Sequence, residues 1–313
     1  MSAPCAPWDG WRVIFSSRET LTRTRQDSRA KQRAVLVAPL QNLLGSIFSV
    51  LFPSECRLCH TPLDNISRVP VCRECFRAIE PARAPQCVVC GDRLVSAQLL
   101  MGDGRCANCR DFEPEFERAV SFGEYEGGLR GLIHLLKYES VTPVASPLGS
   151  MMAEAIQELL SGRGQVSPLL IPVPLHKSRR RARGFNQAEL IACAAGKRLS
   201  PRVEVASGIL LRQRDTISQV GLSREERMEN VRGAFRVSAP NRVKGRILIV
   251  VDDVMTTGTT LSECARVLKQ AGAERVWAAT VARAFQGASS GETADRGEEE
   301  AIEAEAVALT ASV

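Results

Sequence analysis

No hydrophobic run in the chain is long enough for a membrane span. The most apolar stretch, Val35–Phe52, is broken by Pro39, Gln41 and Asn42, whereas a spanning helix needs about 20 consecutive apolar residues. No secretory leader is evident: Met1–Arg33 is polar and rich in Ser, Thr and Arg, and reads as disordered. The expectation is a cytoplasmic protein without membrane insertion. No G-x-x-x-x-G-K-[ST] occurs, so the acidic strand described below is not the partner of a Walker-type phosphate loop.

Charge is present but uneven. The chain totals +6 at pH 7, yet from Gln286 onward seven acids face one base, Arg296, so the tail carries −6 and the remainder +12. A body of that sign attracts polyanions, either nucleic acid or phosphorylated metabolites. Residues 286–313 read as an acidic, disordered tail. Residues 1–50 form an N-terminal extension ending in an amphipathic helix, with Leu40, Leu43, Leu44, Ile47, Val50 and Leu51 at helical spacing.

Cysteine is plentiful and paired. Eight of the 11 cysteines form C-x-x-C pairs: Cys56/Cys59, Cys72/Cys75, Cys87/Cys90 and Cys106/Cys109. Each knuckle puts two thiolates on one side of a tight turn, and two knuckles complete a tetrahedral zinc site. The intervening 12, 11 and 15 residues fit zinc ribbons. Sequential pairing is simplest, with Cys56, Cys59, Cys72 and Cys75 on one zinc and the other four on a second; the spacing also permits a cross-braced arrangement. Both zincs would be structural. His60 is a bystander in this reading, since the cysteines suffice. The module, 51–112, has too few apolar residues to fold alone. Metal binding, worth ~10–16 kcal/mol in small zinc peptides, would supply most of its stability.

The segment 113–285 reads as an α/β domain: a parallel sheet flanked by helices. Its centre is Ile247–Thr260, ILIVVDDVMTTGTT. Five aliphatic residues predict a strand buried on both faces, ending near Val251. Asp252 and Asp253 follow where the strand should leave the sheet, then Met255, Thr256, Thr257, Gly258, Thr259 and Thr260, then a helix over Thr259–Ala271. A tight turn at a helix start offers free N–H groups and a positive dipole end, which suits a phosphate. The acids would repel that phosphate, and are better placed to accept from sugar hydroxyls or a Mg²⁺ held by them. The implied ligand is a phosphorylated sugar.

Other elements flank this centre. Phe116–Tyr125 reads as a strand or hairpin, Gly127–Lys137 and Leu148–Leu160 as helices, Leu169–Pro174 and Arg275–Val281 as strands. Between Leu169–Pro174 and a helix over Ala188–Leu199 lies a cationic loop, Leu175–Arg183, where pyrophosphate or a nucleic-acid backbone could be held. Leu210–Phe235 is too charged for a core and predicts a mobile loop followed by the helix Ser223–Val231, with Ser223 and Glu226 as a capping box.

The strand–acid–turn segment resembles the signature of type I phosphoribosyltransferases, which bind phosphoribosyl pyrophosphate (PRPP) there. With the cysteine pairs, Pro172–His176, Arg183–Gln187, Gln219–Ser223 and Glu226–Phe235, the chain resembles the ComF family of competence-associated proteins over about residues 51–283. The resemblance implies PRPP binding with Mg²⁺, and a role beside single-stranded DNA and a DNA-uptake helicase. Carried over, Asp252 and Asp253 hold the ribose hydroxyls and Thr256–Thr260 cradle the 5′-phosphate. Pro174, His176, Lys177 and Arg183 face pyrophosphate, and Arg212, Arg214 and Arg224 belong to a closing loop. No hood selecting a nucleobase, and no base to activate an acceptor, can be identified. Two functions stay open: a PRPP-binding accessory in DNA uptake, and an active Mg²⁺-dependent phosphoribosyltransferase on an unidentified nucleobase or amine.

Overall fold

The structure, a computed structural model, describes residues 55–63, 67–95, 102–216 and 223–284. The predicted helix before Pro53, the acidic tail and residues 217–222 of the charged loop lie outside them. The chain divides into two compact units, Met1–Phe76 and Arg77–Val313.

In the first unit, residues 55–62 form a knuckle closed by an antiparallel bridge between Glu55 and Pro62. The His60 N–H donates to Cys56 O at 2.8 Å, and His60 itself takes a left-handed conformation, φ 61°. Helix α1 (Arg73–Arg77) starts just after Cys72.

The second unit opens with a matching knuckle. Gln86 bridges Arg93, the Gly91 N–H donates to Cys87 O at 2.9 Å, and Gly91 has φ 69°. Short α2 (Ala107–Asp111) follows Cys106. Then come β1 (Ala119–Glu124), α3 (Gly127–Lys137), α4 (Ala145–Leu160), β2 (Leu169–Pro172), α5 (Lys177–Arg183), α6 (Gln187–Leu199) and β3 (Glu204–Val205). The chain continues through β4 (Leu210–Arg212), α7 (Arg224–Val231), β5 (Phe235–Val237), β6 (Ile247–Met255), α8 (Thr259–Gln270) and β7 (Arg275–Arg283).

Five strands form one sheet in the order β1-β7-β6-β2-β3, with every pairing parallel. Leu248, Ile249, Val250 and Val251 are fully buried, as a central strand's aliphatic run requires. β4 and β5 pair apart from the sheet, antiparallel. Helix α4 packs on α6 and on β7 and β1, while α8 packs on β6, β7, β5 and α7.

Strand order reverses between β2 and β6. From β2 the chain moves outward to β3; from β6 it moves the other way, to β7. In open α/β sheets ligands bind outside the carboxyl ends of the strands at such a switch point. The chain leaving β2 is Val173–Lys177, and the chain leaving β6 is the threonine turn.

Three details differ from the sequence-based expectation. β6 runs on to Met255, because Asp252 pairs with Thr280 and Met255 with Arg283 of β7. The acidic pair therefore sits within the strand's last turn of pleat, not beyond it. The basic stretch Lys177–Arg183 is helical, not a loop. His176 caps it by accepting from the Ser178 N–H, and Gly184 ends it with a left-handed φ of 81°. Finally, the charged segment is bracketed by β4 and β5, strands of three residues each, too short to show alternation.

Candidate functional site

The eight paired cysteines come together as two sets of four: Cys56, Cys59, Cys72 and Cys75; and Cys87, Cys90, Cys106 and Cys109. Within each set every Sγ lies within 4.8 Å of the others. The Cys59–Cys72 and Cys90–Cys106 separations are 3.6 Å, and Cys56–Cys75 is 3.9 Å. A tetrahedron with Zn–S near 2.3 Å has edges of about 3.8 Å, so the donors and their spacing fit zinc, paired sequentially rather than cross-braced. In the second set all four cysteines are buried. His60 occupies the left-handed turn position that Gly91 fills in the second knuckle.

At the carboxyl end of β6 the two aspartates point apart. Asp253 is buried, and its Oδ2 lies 3.0 Å from Lys137 Nζ at the end of α3. Burial alone would lower the lysine's pKa, but Asp253, with Tyr125 and Tyr138, holds it well above the ordinary range. Asp252 is half-buried; its Oδ1 accepts from the Asp253 N–H at 2.9 Å. Its carboxyl is pushed up to about 8, first by desolvation and then by the Asp253 charge, with Lys137 acting the other way.

Beyond β6 the turn closes at Gly258, φ 78°, which caps α8 without any side-chain bond. Helix α8 therefore begins with first-turn amides directed out of its N-terminus. Thr257 and Thr259 hydroxyls lie 3.1 Å apart, and Arg227 Nη1 of α7 donates to Thr256 Oγ1 at 3.1 Å. Met255 is buried under the turn. One half-exposed carboxylate, a hydroxyl-rich turn and an uncapped helix end thus share the exit of one strand.

Across the crevice, Asn186 is buried and ties the segment after β2 in place: its Nδ2 donates to Val173 O at 2.9 Å and its Oδ1 accepts from the Ala188 N–H at 3.1 Å. Pro174 is half-buried and Lys177 exposed. His176 Nδ1 lies 3.0 Å from Asp215 Oδ2, to which Ser178 Oγ also donates at 2.8 Å. Burial raises the Asp215 pKa, but the Ser178 hydroxyl, the electrostatic pull of His176 and the Thr216 N–H outweigh it and hold the carboxyl below its usual range. Arg183 donates to Gln187 Oε1 at 2.8 Å and stacks over Tyr138.

Arg212 is not on a loop but ends β4, with its guanidinium over Phe235 and bonded to the Thr216 hydroxyl. Burial, then Arg179, depresses its pKa, and Asp215 and Asp252 lie within electrostatic reach. Arg214 is exposed and donates to the Asn230 and Arg232 carbonyls. Arg224 opens α7. Sequence reasoning missed Lys137 and Arg227 at this site, while Arg179 lies in the cationic stretch Leu175–Arg183 already read as an anion-binding segment. Arg227 carried a signal: it lies in the run Glu226–Phe235 that bears the family resemblance.

Among known families, the Phosphoribosyl transferase domain matches residues 194–305, and the Double zinc ribbon domain matches residues 47–112. The chain is 33% identical over 225 residues to the DNA utilization protein YhgH of Escherichia coli O6:H1, covering 72% of this chain and 94% of that protein. It is 30% identical over 235 residues to Competence protein F of Haemophilus influenzae, covering 74% and 98%. Competence protein ComFC of Bacillus subtilis is 30% identical over 106 residues, 33% of this chain and 39% of the relative. The zinc-ribbon and phosphoribosyltransferase-like halves are thus both shared with known proteins.

Proposed function

The chain belongs to the ComF family, and from that premise we propose that it binds PRPP with Mg²⁺ at the β2/β6 crevice and acts as an accessory in DNA uptake. The observation that carries the reading is the joint placement of Asp252 and the Thr256–Thr260 turn at the strand-order reversal. In this reading the α8 amides and threonine hydroxyls hold the 5′-phosphate. Asp252 accepts from the ribose hydroxyls and reaches Mg²⁺ bound by the same ligand. Segment Pro174–Lys177, with Arg183 and Arg212, faces the pyrophosphate.

Helix α5 supplies the DNA arm of the proposal. Lys177, Arg180 and Arg181 are exposed on it, more cation than one pyrophosphate requires, and suited to the backbone of a single strand. A helicase of the uptake machinery is the proposed protein partner. Among the described residues no helix is long and apolar enough to cross a membrane.

Calorimetry of the full chain with PRPP and Mg²⁺ tests the ligand, and no detectable heat or competition would refute it. Incubation with a nucleobase panel, scored for released pyrophosphate, separates accessory from enzyme: steady release with any acceptor makes the protein a phosphoribosyltransferase. Single-stranded DNA affinity should fall steeply with salt, and Arg180→Gln with Arg181→Gln should flatten that slope by about one to two counterions. A salt-insensitive complex would remove the DNA arm.

A further inference from the structure

Arg283 ends β7 opposite Met255 and is only 4% exposed. Its Nη2 points at the second cysteine cluster, 3.6 Å from Cys90 Sγ and 3.4 Å from Asp92 Oδ2. Its Nε and Nη1 are buried without a partner among the described residues. The guanidinium lines a small cavity together with Cys90, Cys109, Phe116, Thr256 and Thr257. Cys90 and Cys109 of the second cysteine set and Thr256 and Thr257 of the turn therefore line one cavity, with Arg283 and Asp92 in the same lining.

The backbone around this enclosure is stitched in the same sense. Ala119 N–H donates to Val89 O of the knuckle at 2.7 Å, and Ala284 N–H donates to Met255 O at 2.9 Å. Glu115 N–H donates to Ser262 Oγ, in the first turn of α8, at 2.9 Å. The Phe116 ring lies 3.6 Å from where a Cβ on Gly258 would stand. Cys87, Cys90, Cys106, Cys109 and Phe116 share one hydrophobic core with Met255, Leu261 and Cys264.

Charge supplies the reason. Four thiolates around Zn²⁺ carry a net −2, and a buried guanidinium without an anion is strongly destabilised. Asp92 gives the guanidinium one counter-charge at 3.4 Å, and the Cys90 sulfur, at 3.6 Å, adds a second anionic partner on the wall of the cavity that Arg283 shares with the turn. Outer-shell partners of this kind orient metal ligands and tune the site.

We propose that Arg283 is a positioning residue through which the second Cys₄ zinc site holds the Thr256–Ser262 phosphate turn in shape. The first Cys₄ set belongs to the other compact unit, so its zinc serves as the internal control.

The test uses the full zinc-loaded chain, with zinc counted by metal analysis. Arg283→Met removes the guanidinium, Arg283→Lys keeps the charge, and Cys59→Ser and Cys109→Ser weaken the first and second zinc sites. Hydrogen exchange of the peptide Met255–Cys264, without ligand, is the primary readout. Arg283→Met and Cys109→Ser should each accelerate it about tenfold, at the lower end of outer-shell effects, with Arg283→Lys intermediate and Cys59→Ser within twofold of wild type. If Arg283→Met fails to fold, stripping zinc from the wild-type chain with a chelator reads the same coupling. Exchange in the variants or stripped chain that stays within twofold of wild type, or rises as much in Cys59→Ser, overturns the proposal. The second readout, Mg²⁺–PRPP affinity, rests on the reading of the turn given above and should fall about tenfold in Arg283→Met. A wild type that does not bind PRPP but shows the exchange coupling refutes that reading and leaves the zinc coupling standing.

Discussion

Lys137 Nζ sits 3.0 Å from Asp253 Oδ2, and that single ion pair gives two adjacent carboxylates different work. Asp253 is buried and already balanced. Asp252, only half-buried at the mouth of the sheet, is the one the proposed reading assigns to the ligand.

The substitutions should therefore separate. Asp252→Asn is expected to reduce Mg²⁺–PRPP affinity at least tenfold, the loss of a charged hydrogen bond of about 1.5–3 kcal/mol, with no loss of thermal stability at neutral pH. Asp253→Asn leaves Lys137 buried without its counterion, which should destabilise the fold by about 3–5 kcal/mol. Calorimetry and denaturant melts on both variants check this. Equal losses of affinity and stability in the two would end the division of roles.

Proton linkage at Asp252 has a definite sign. Its carboxyl is pushed up to about 8 in the folded chain from an ordinary 3.8, so the native state holds the proton more tightly than the unfolded one. The charged form is the unfavourable one, and its contribution to stability is lost as pH rises from about 4 to about 8. Asn mimics the protonated acid. The melting-temperature advantage of Asp252→Asn should widen over that window and level off above it. Ligand binding through an ionised Asp252 should release a proton near pH 7 and strengthen up to about pH 8. Calorimetry in buffers of different ionisation enthalpy measures the release; uptake of a proton instead would reverse the assignment.

A knuckle comparison gives a third expectation. His60 and Gly91 fill equivalent positions, both left-handed, and a non-glycine residue pays about 1 kcal/mol or more there. His60→Gly should raise the zinc-loaded chain's resistance to unfolding by roughly 0.5–1 kcal/mol, with zinc content unchanged. Loss of a zinc in His60→Gly would instead make His60 a ligand.

Much of this architecture was legible because it is local. The aliphatic run Ile247–Val251 could be only a doubly buried strand, the bounds of α3 followed from its apolar stripe, and the Ser223–Glu226 capping box is present as read. The zinc ligands needed only knuckle spacing, whereas their sequential rather than cross-braced grouping shows only in the fold. What the chain hid is what depends on distant partners. Nothing near Lys137 announces Asp253, and β6 outlasts its aliphatic run because β7 continues to pair with it. The three-residue strands β4 and β5 have no periodicity to show. The basic stretch looked like a loop because its charge was more conspicuous than its caps, His176 and Gly184.

Arg227 supplies the last expectation, and it tests the phosphate end of the site separately from the pyrophosphate end. Its guanidinium comes from α7 and reaches Thr256 Oγ1 at 3.1 Å, so a phosphate cradled by the turn lies within its range. It is half-exposed, and its removal should change stability by no more than about 0.5 kcal/mol. Arg227→Met should weaken ribose 5-phosphate and PRPP by about tenfold, the loss expected for one charge-assisted hydrogen bond. Inorganic pyrophosphate, used as a competitor, should bind the variant as it binds wild type, because its proposed contacts lie across the crevice at Pro174–Lys177 and Arg183. If Arg227→Met weakens pyrophosphate and spares ribose 5-phosphate, the two ends of the ligand are reversed in the site, and the α8 turn is not the 5′-phosphate cradle.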